Sequence, residues 1–185
     1  MAELAAMGQG GGRLNYASSQ AGSASHVIAE TFVRRSRMDA THIPFNGAAP
    51  AATATVAGQV DFYVSTFPTV AQLIRDGRLR ALSVGAPRRL ADFPDVPTTE
   101  EAGVPFMAVD AWFGFFGPAG LPAATAERLA AAFIGTLSDP EVQRRLAAAG
   151  FTLDPLPPAP FAAFQRSEVA RWAEMVQLTG VRLDG

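Results

Sequence analysis

Leu14-Asn15-Tyr16-Ala17-Ser18-Ser19-Gln20-Ala21-Gly22-Ser23-Ala24-Ser25-His26 is the stretch whose reading decides the fold. Residues 13–17 have the make-up of a strand, and 18–23 are small and polar. Ala24, Ile28 and Phe32 then recur every four residues, which sets them on one face of a helix reaching about Arg37. Arginines at its end suit the negative pole of the helix dipole. The unit then repeats. Residues 41–45 read as a strand, and Asn46-Gly47-Ala48-Ala49-Pro50 follows, with the proline suited to a first helical turn and Gly58 to a stop. Strand, turn and helix in succession predict an α/β fold.

Working outward, residues 60–65 read as a third strand, and Pro68 and Gly77 bracket a helix. Residues 80–84 read as a fourth strand, and 87–97 as a loop rich in proline and charge. Thr98-Thr99-Glu100-Glu101 has capping-box spacing and predicts a short helix. The aromatic run 111–116 predicts a strand buried on both faces. The last third reads as helical. Residues 123–137 carry Leu129, Phe133 and Leu137 on one stripe, Asp139-Pro140 caps a helix ended by Gly150, and 151–153 form a brief strand. A proline-stiffened connector leads to a final amphipathic helix over 161–177, with Phe161, Phe164, Glu168, Trp172 and Val176 near one face.

Composition narrows the function. The formal net charge of -2 argues against a nucleic-acid groove. The arginines at 34, 35 and 37 and at 88 and 89 read as solvated faces or helix-end charges. With no cysteine, disulfides, thiolate catalysis and Cys-ligated zinc are excluded. No apolar run approaches the roughly 18 residues of a membrane span. The first seven residues lack the basic region of a signal peptide, so a chain truly starting at Met1 is expected to stay in the cytoplasm.

The chemistry-bearing features are turns. A Ser- and Gly-containing loop at a helix N-terminus presents backbone N–H groups, and the helix dipole adds positive potential, so residues 18–23 can hold an anion without a cationic side chain. The turn at 46–50 repeats that arrangement, and two such turns at the carboxyl ends of neighbouring strands would share one crevice. Both can equally be well-capped strand-to-helix turns. Enzyme signatures are missing: there is no nucleophile elbow, Walker loop, zincin motif or dinucleotide fingerprint. His26, one turn into a helix, reads as hydrogen-bonded to a neighbouring loop, and His42 as structural. Asp61 and Asp110 have no evident acid–base pairing, Trp112 and Trp172 read as core, and no metal or cofactor set is present.

Residues 14–19 with Gly22, Ser23 and His26 resemble the LNYASSGxGSxxH signature of the Bug family, the solute-binding receptors of tripartite tricarboxylate transporters. The likeness continues through residues 42–50, 57–61, 77–82, 94–98 and 101–103, Trp112-Phe113-Gly114, Pro118-Ala119-Gly120 and 139–142, and so covers about residues 13–184. It implies a periplasmic-binding-protein fold, a type II Venus flytrap of two α/β lobes closing on a small carboxylate. By the same resemblance Ser18, Ser19, Gln20, Gly22 and Ser23 face the ligand from one turn, Gly47, Ala48 and Ala49 from a second, and Ser65 and Thr66 from a third. The implied partners are that ligand and the transporter's membrane components, and the implied location is the periplasm.

Departures qualify these expectations. Gln20 stands where the family has Gly, Phe45-Asn46 where it has Tyr-Lys, and Ser65 where many members have Asp. The last change disfavours an amino-acid ligand relative to a plain carboxylate. Family members are about half as long again and begin with a signal peptide. Here residues 13–110 would form the second lobe complete, and 111–185 would return to a first lobe that is only partial. Helices without their sheet leave apolar stripes, so a homo-oligomer, an exchanged arrangement or a complementary lobe is expected. The alternatives are a repurposed single-lobe cytoplasmic enzyme or sensor, working through His26, Asp61 or Ser65, and a remnant that binds nothing.

Overall fold

The computed structural model describes residues 1–109, 111–149 and 151–182, so the sequence readings of Asp110 and Gly150 lie outside the described residues. The chain divides into two units, Met1–Ala111 with Glu174–Gly185, and Trp112–Ala173.

In the first unit, helix α1 (Ala2–Gln9) precedes three strand–helix steps. These are β1 (Leu14–Ser18) to α2 (Ala24–Arg35), β2 (Ala40–Pro44) to α3 (Ala48–Val56), and β3 (Phe62–Tyr63) to α4 (Phe67–Arg75). The sheet is parallel with order β2-β1-β3, Tyr16 lying opposite His42 on one side and Phe62 on the other. β1 is therefore central and must be apolar on both faces. Leu14 and Tyr16 point into a core with Phe32, Val33, Met38 and Phe62, while Ala17 points into a second core with Ala51, Ala54 and Val60. The alanines bring α3 close to the sheet. Reversal of direction after β2 places the topological switch between β1 and β3.

Several elements differ from their sequence readings. The buried face of α2 carries Val27, Ala29, Thr31, Phe32 and Val33, whereas Ala24 is exposed at its first turn. β3 has only two residues, and just before it the Asp61 carboxylate, in place of a main-chain carbonyl, accepts the Asn15 N–H at 2.7 Å. Residues 80–84 form no strand: only Val84 bridges, opposite Thr98. The capping box forms, with Thr98 N donating to Glu101 and Glu101 N to Thr98 Oγ1, but it closes a single turn. Gly103 has a φ of 76° and Pro105 follows, so no α-helix can continue there.

The second unit holds α5 (Ala123–Leu137), α6 (Pro140–Ala148) and most of α7 (Pro158–Thr179). Asp139 caps α6 by accepting from the Glu141 and Val142 amides. Residues 112–117 are not a strand, and neither are 151–153. The main chain of 112–117 makes no backbone hydrogen bond among the described residues. Phe113, Phe115 and Phe116 are 79%, 72% and 69% exposed, against the expectation of a doubly buried strand. Trp112 packs edge-on against Phe161 and Phe164 and donates to the buried Glu168 at 3.2 Å.

Candidate functional site

Parallel strands end their polar turns on one rim, so the turns after β1, β2 and β3 share the carboxyl edge of the sheet. The first two are joined directly. Phe45 N donates to the Ser18 carbonyl at 3.0 Å and Gly47 N to the Ser19 carbonyl at 2.8 Å. That pairing puts the N-termini of α2 and α3 next to each other. Gly47 precedes α3 with φ 116° and ψ 165°, a conformation open to glycine and costly for other residues. No charged residue occurs in 14–26 or 40–50.

Main-chain donors at this rim fall into two groups. Ser19 N donates to Ser25 Oγ, Gly22 N to His26 Nδ1, and Ser23 N to the Gln20 carbonyl, all within 3.2 Å. Those amides and that of Gly47 are spent within the protein. The amides of Gln20 and Ala21 have no protein acceptor among the described residues. Ala24 and Ser25, and likewise Ala48 and Ala49, stand in the first turns of their helices, where no intrahelical acceptor exists. The Gln20 carbonyl accepts from Ser18 Oγ, Ser23 Oγ and Ser23 N, so it points into the turn. A trans peptide carries C=O and the next N–H on opposite sides, so the Ala21 N–H points away from those donors. Four open amides at two helix N-termini, with those of Gln20 and Ala21 in the turn before α2, give positive potential without a formal charge.

A column of rings lies under the rim. Phe62, Tyr16 and His42 stack across the three strands at centroid separations of 5.4 and 5.1 Å, and His26 closes the column 3.6 Å from His42. The Tyr16 hydroxyl donates to Glu30, whose other oxygen pairs with Arg34. Burial pushes the Tyr16 phenol far up, helped by Glu30. Burial holds His26 below the usual imidazole range and, with the neighbouring His26, holds His42 down to about 4. Both rings are therefore neutral at pH 7. His42 Nε2 lies 2.7 Å from Ser18 Oγ. Ser18 has one proton, directed to the Gln20 carbonyl, which makes His42 Nε2 the donor. Ser18 is fully buried and Glu30 is engaged elsewhere, so this Ser–His contact serves the turn's shape and does not present a nucleophile.

The structure thus brings Ser18, Ser19, Gln20, Gly22 and Ser23 together with Gly47, Ala48 and Ala49. Thr66 bonds Thr69 on its own helix. Ser65 Oγ is buried beside the Tyr63 phenol, which burial pushes up in pKa and Ser65 partly restores. Asp61 is a strand-edge residue with its carboxylate on Asn15. The sequence reading missed Ser25, whose hydroxyl meets Ser19 N, Ser19 Oγ and Ser23 Oγ, and it missed the open amides of Ala21 and Ala24. The Ser-x-Ser spacing at an N-cap was the available signal. A shallow apolar hollow of about 450 Å³ runs along α3 between Phe45 and Gln59, with Ala49 and Pro50 of the helix's first turn in its lining. Among the described residues no group of three or more His, Asp or Glu could hold a metal ion.

The TctC family model, described as tripartite tricarboxylate transporter family receptor, matches residues 1–181. The protein BugT of Bordetella pertussis is 31% identical over 93% of this chain and 53% of its own length. Among solved structures, MatC from Rhodopseudomonas palustris with bound malate is 34% identical, with a TM-score of 0.80 over 95% of this chain and 61% of that one. R. palustris Rpa4515 with adipate is 26% identical, with a TM-score of 0.84 over 98% of this chain and 61% of that one. The fold is accordingly that of the periplasmic binding proteins. The chain spans about half the length of the curated relatives it matches.

Proposed function

Because the chain belongs to the tripartite tricarboxylate transporter receptor family, we propose that it captures a small carboxylate at the paired turns after β1 and β2. The observation that carries this reading is the pair of bonds from Phe45 N to Ser18 and from Gly47 N to Ser19. They set two helix N-termini together with the amides of Gln20, Ala21, Ala24, Ser25, Ala48 and Ala49 unspent. A carboxylate accepts several N–H bonds and has most to gain from such a site. Ser18, Ser19, Gly22, Ser23 and Gly47 shape the turns, and the Ser19 and Ser23 hydroxyls border the opening. Ser65 and Thr66 form its third side.

The solute class follows from the same features. With no charged side chain in either turn, recognition rests on amides. With Ser65 and not an acid on the third turn, nothing there suits an ammonium group. The malate and adipate held by MatC and Rpa4515 are both dicarboxylates without an ammonium group, in keeping with a plain carboxylate solute. Residues 13–110 act in this reading as the second lobe and 111–185 as a return to the first. The partners are the transporter's membrane proteins, the setting is the periplasm, and no reaction is performed on the solute.

Calorimetry and thermal shift with malate, adipate and aromatic acids at pH 7 test the reading. Saturation at about 100 times the dissociation constant stabilises by roughly 2.7 kcal/mol, several degrees in melting temperature. A panel with no member that binds would sink it.

A further inference from the structure

The turn after β1 is held by the side chains of Ser18, Ser23, Ser25 and His26, and the last of them does a specific task. Gly22 adopts a φ of 74°, and its N–H donates to His26 Nδ1 at 3.0 Å. An acceptor at Nδ1 requires the neutral ring with its proton on Nε2, because an imidazolium has no lone pair. The ring is fixed in that direction by the stack on His42, 3.6 Å between centroids and 11° from parallel. His42 is anchored in turn by Ser18 Oγ at 2.7 Å. The chain of contacts thus runs from strand β2 through two rings back to the middle of the turn.

We propose that His26 is a positioning residue for anion capture: its neutral imidazole tethers the Gly22 amide and so fixes the turn with the Gln20 and Ala21 amides presented outward. This rests on the carboxylate reading above. Untethered, the turn must be ordered by the ligand itself, which weakens binding without removing any ligand contact. The titratable and charged groups facing the ring are few. Tyr16 lies 6.4 Å away on β1 and His42 on β2, and Glu30, engaged with Tyr16 and Arg34, lies on the ring's own helix. Burial lowers the ring's proton affinity more than Glu30 raises it, which keeps the acceptor available at neutral pH.

Two substitutions separate this role from a merely structural one. His26→Asn places Oδ1 near the position of Nδ1, preserving an acceptor while removing the ring, and His26→Ala removes both. Affinity for malate and adipate, melting temperature and Gly22 amide hydrogen exchange are measured for each. The expected result is comparable loss of melting temperature in both variants. Affinity should fall about tenfold in His26→Ala but stay within about threefold of the parent in His26→Asn, the difference being one net hydrogen bond. Gly22 exchange should be about tenfold faster in His26→Ala than in His26→Asn, and acidification should release Gly22 in the parent protein ahead of His26→Asn at the same pH. Equal affinities in the two variants, or equal Gly22 exchange, overturn the proposal. If the parent binds neither acid, the carboxylate reading fails, and Gly22 exchange in the free protein still decides whether the tether exists.

Discussion

At the scale of single residues, the ring column sets how the fold responds to acid. His42 is held down to about 4, chiefly by burial and then by the adjacent His26. The unfolded chain therefore takes up a proton near the ordinary imidazole value of about 6.5 while the folded chain does not. Stability from this site is complete above that value, declines as pH falls below it, and is lost through about 4. Melting temperature should decline across that window, and His42→Gln should flatten the slope. An equally steep decline in the variant would show the acid sensitivity to lie elsewhere. Little of this was legible in the sequence. Loop composition marked residues 18–23 as an amide-rich turn, which it is. Which amides remain open depends on Ser25 and His26 folding back from the helix, and spacing alone does not encode that choice.

At the scale of elements, the segments with their own start and stop chemistry were legible and those that depend on neighbours were not. α5, α6 and α7 lie close to their expected positions because caps, prolines and periodicity are local. Asp139 accepts from the Glu141 and Val142 amides in an exposed turn. Asp139→Ala should thus cost about 1 kcal/mol, read as a lower denaturation midpoint with an unchanged slope. A changed slope would mean that more than the cap is lost. Residues 80–84 and 111–116 have strand composition but no ladder. A strand is completed by what lies beside it, and composition reports the preference without the neighbour.

At the scale of the whole molecule, the exposed phenylalanines at 113, 115 and 116 form an apolar surface that water tolerates poorly, on a main chain whose groups at 112–117 have no backbone partner among the described residues and are open to another strand. Sedimentation velocity should reveal mass rising with concentration, and the double substitution Phe113→Ser with Phe115→Ser should reduce it. A monodisperse monomer at every concentration would refute the self-association. The partition into two units has another use. Both tryptophans, Trp112 and Trp172, fall in the Trp112–Ala173 unit, and both tyrosines, Tyr16 and Tyr63, fall in the other. Indole emission and phenol absorbance are therefore native optical labels for separate halves of the chain. Melting curves followed by the two chromophores will superimpose only if the halves unfold in concert.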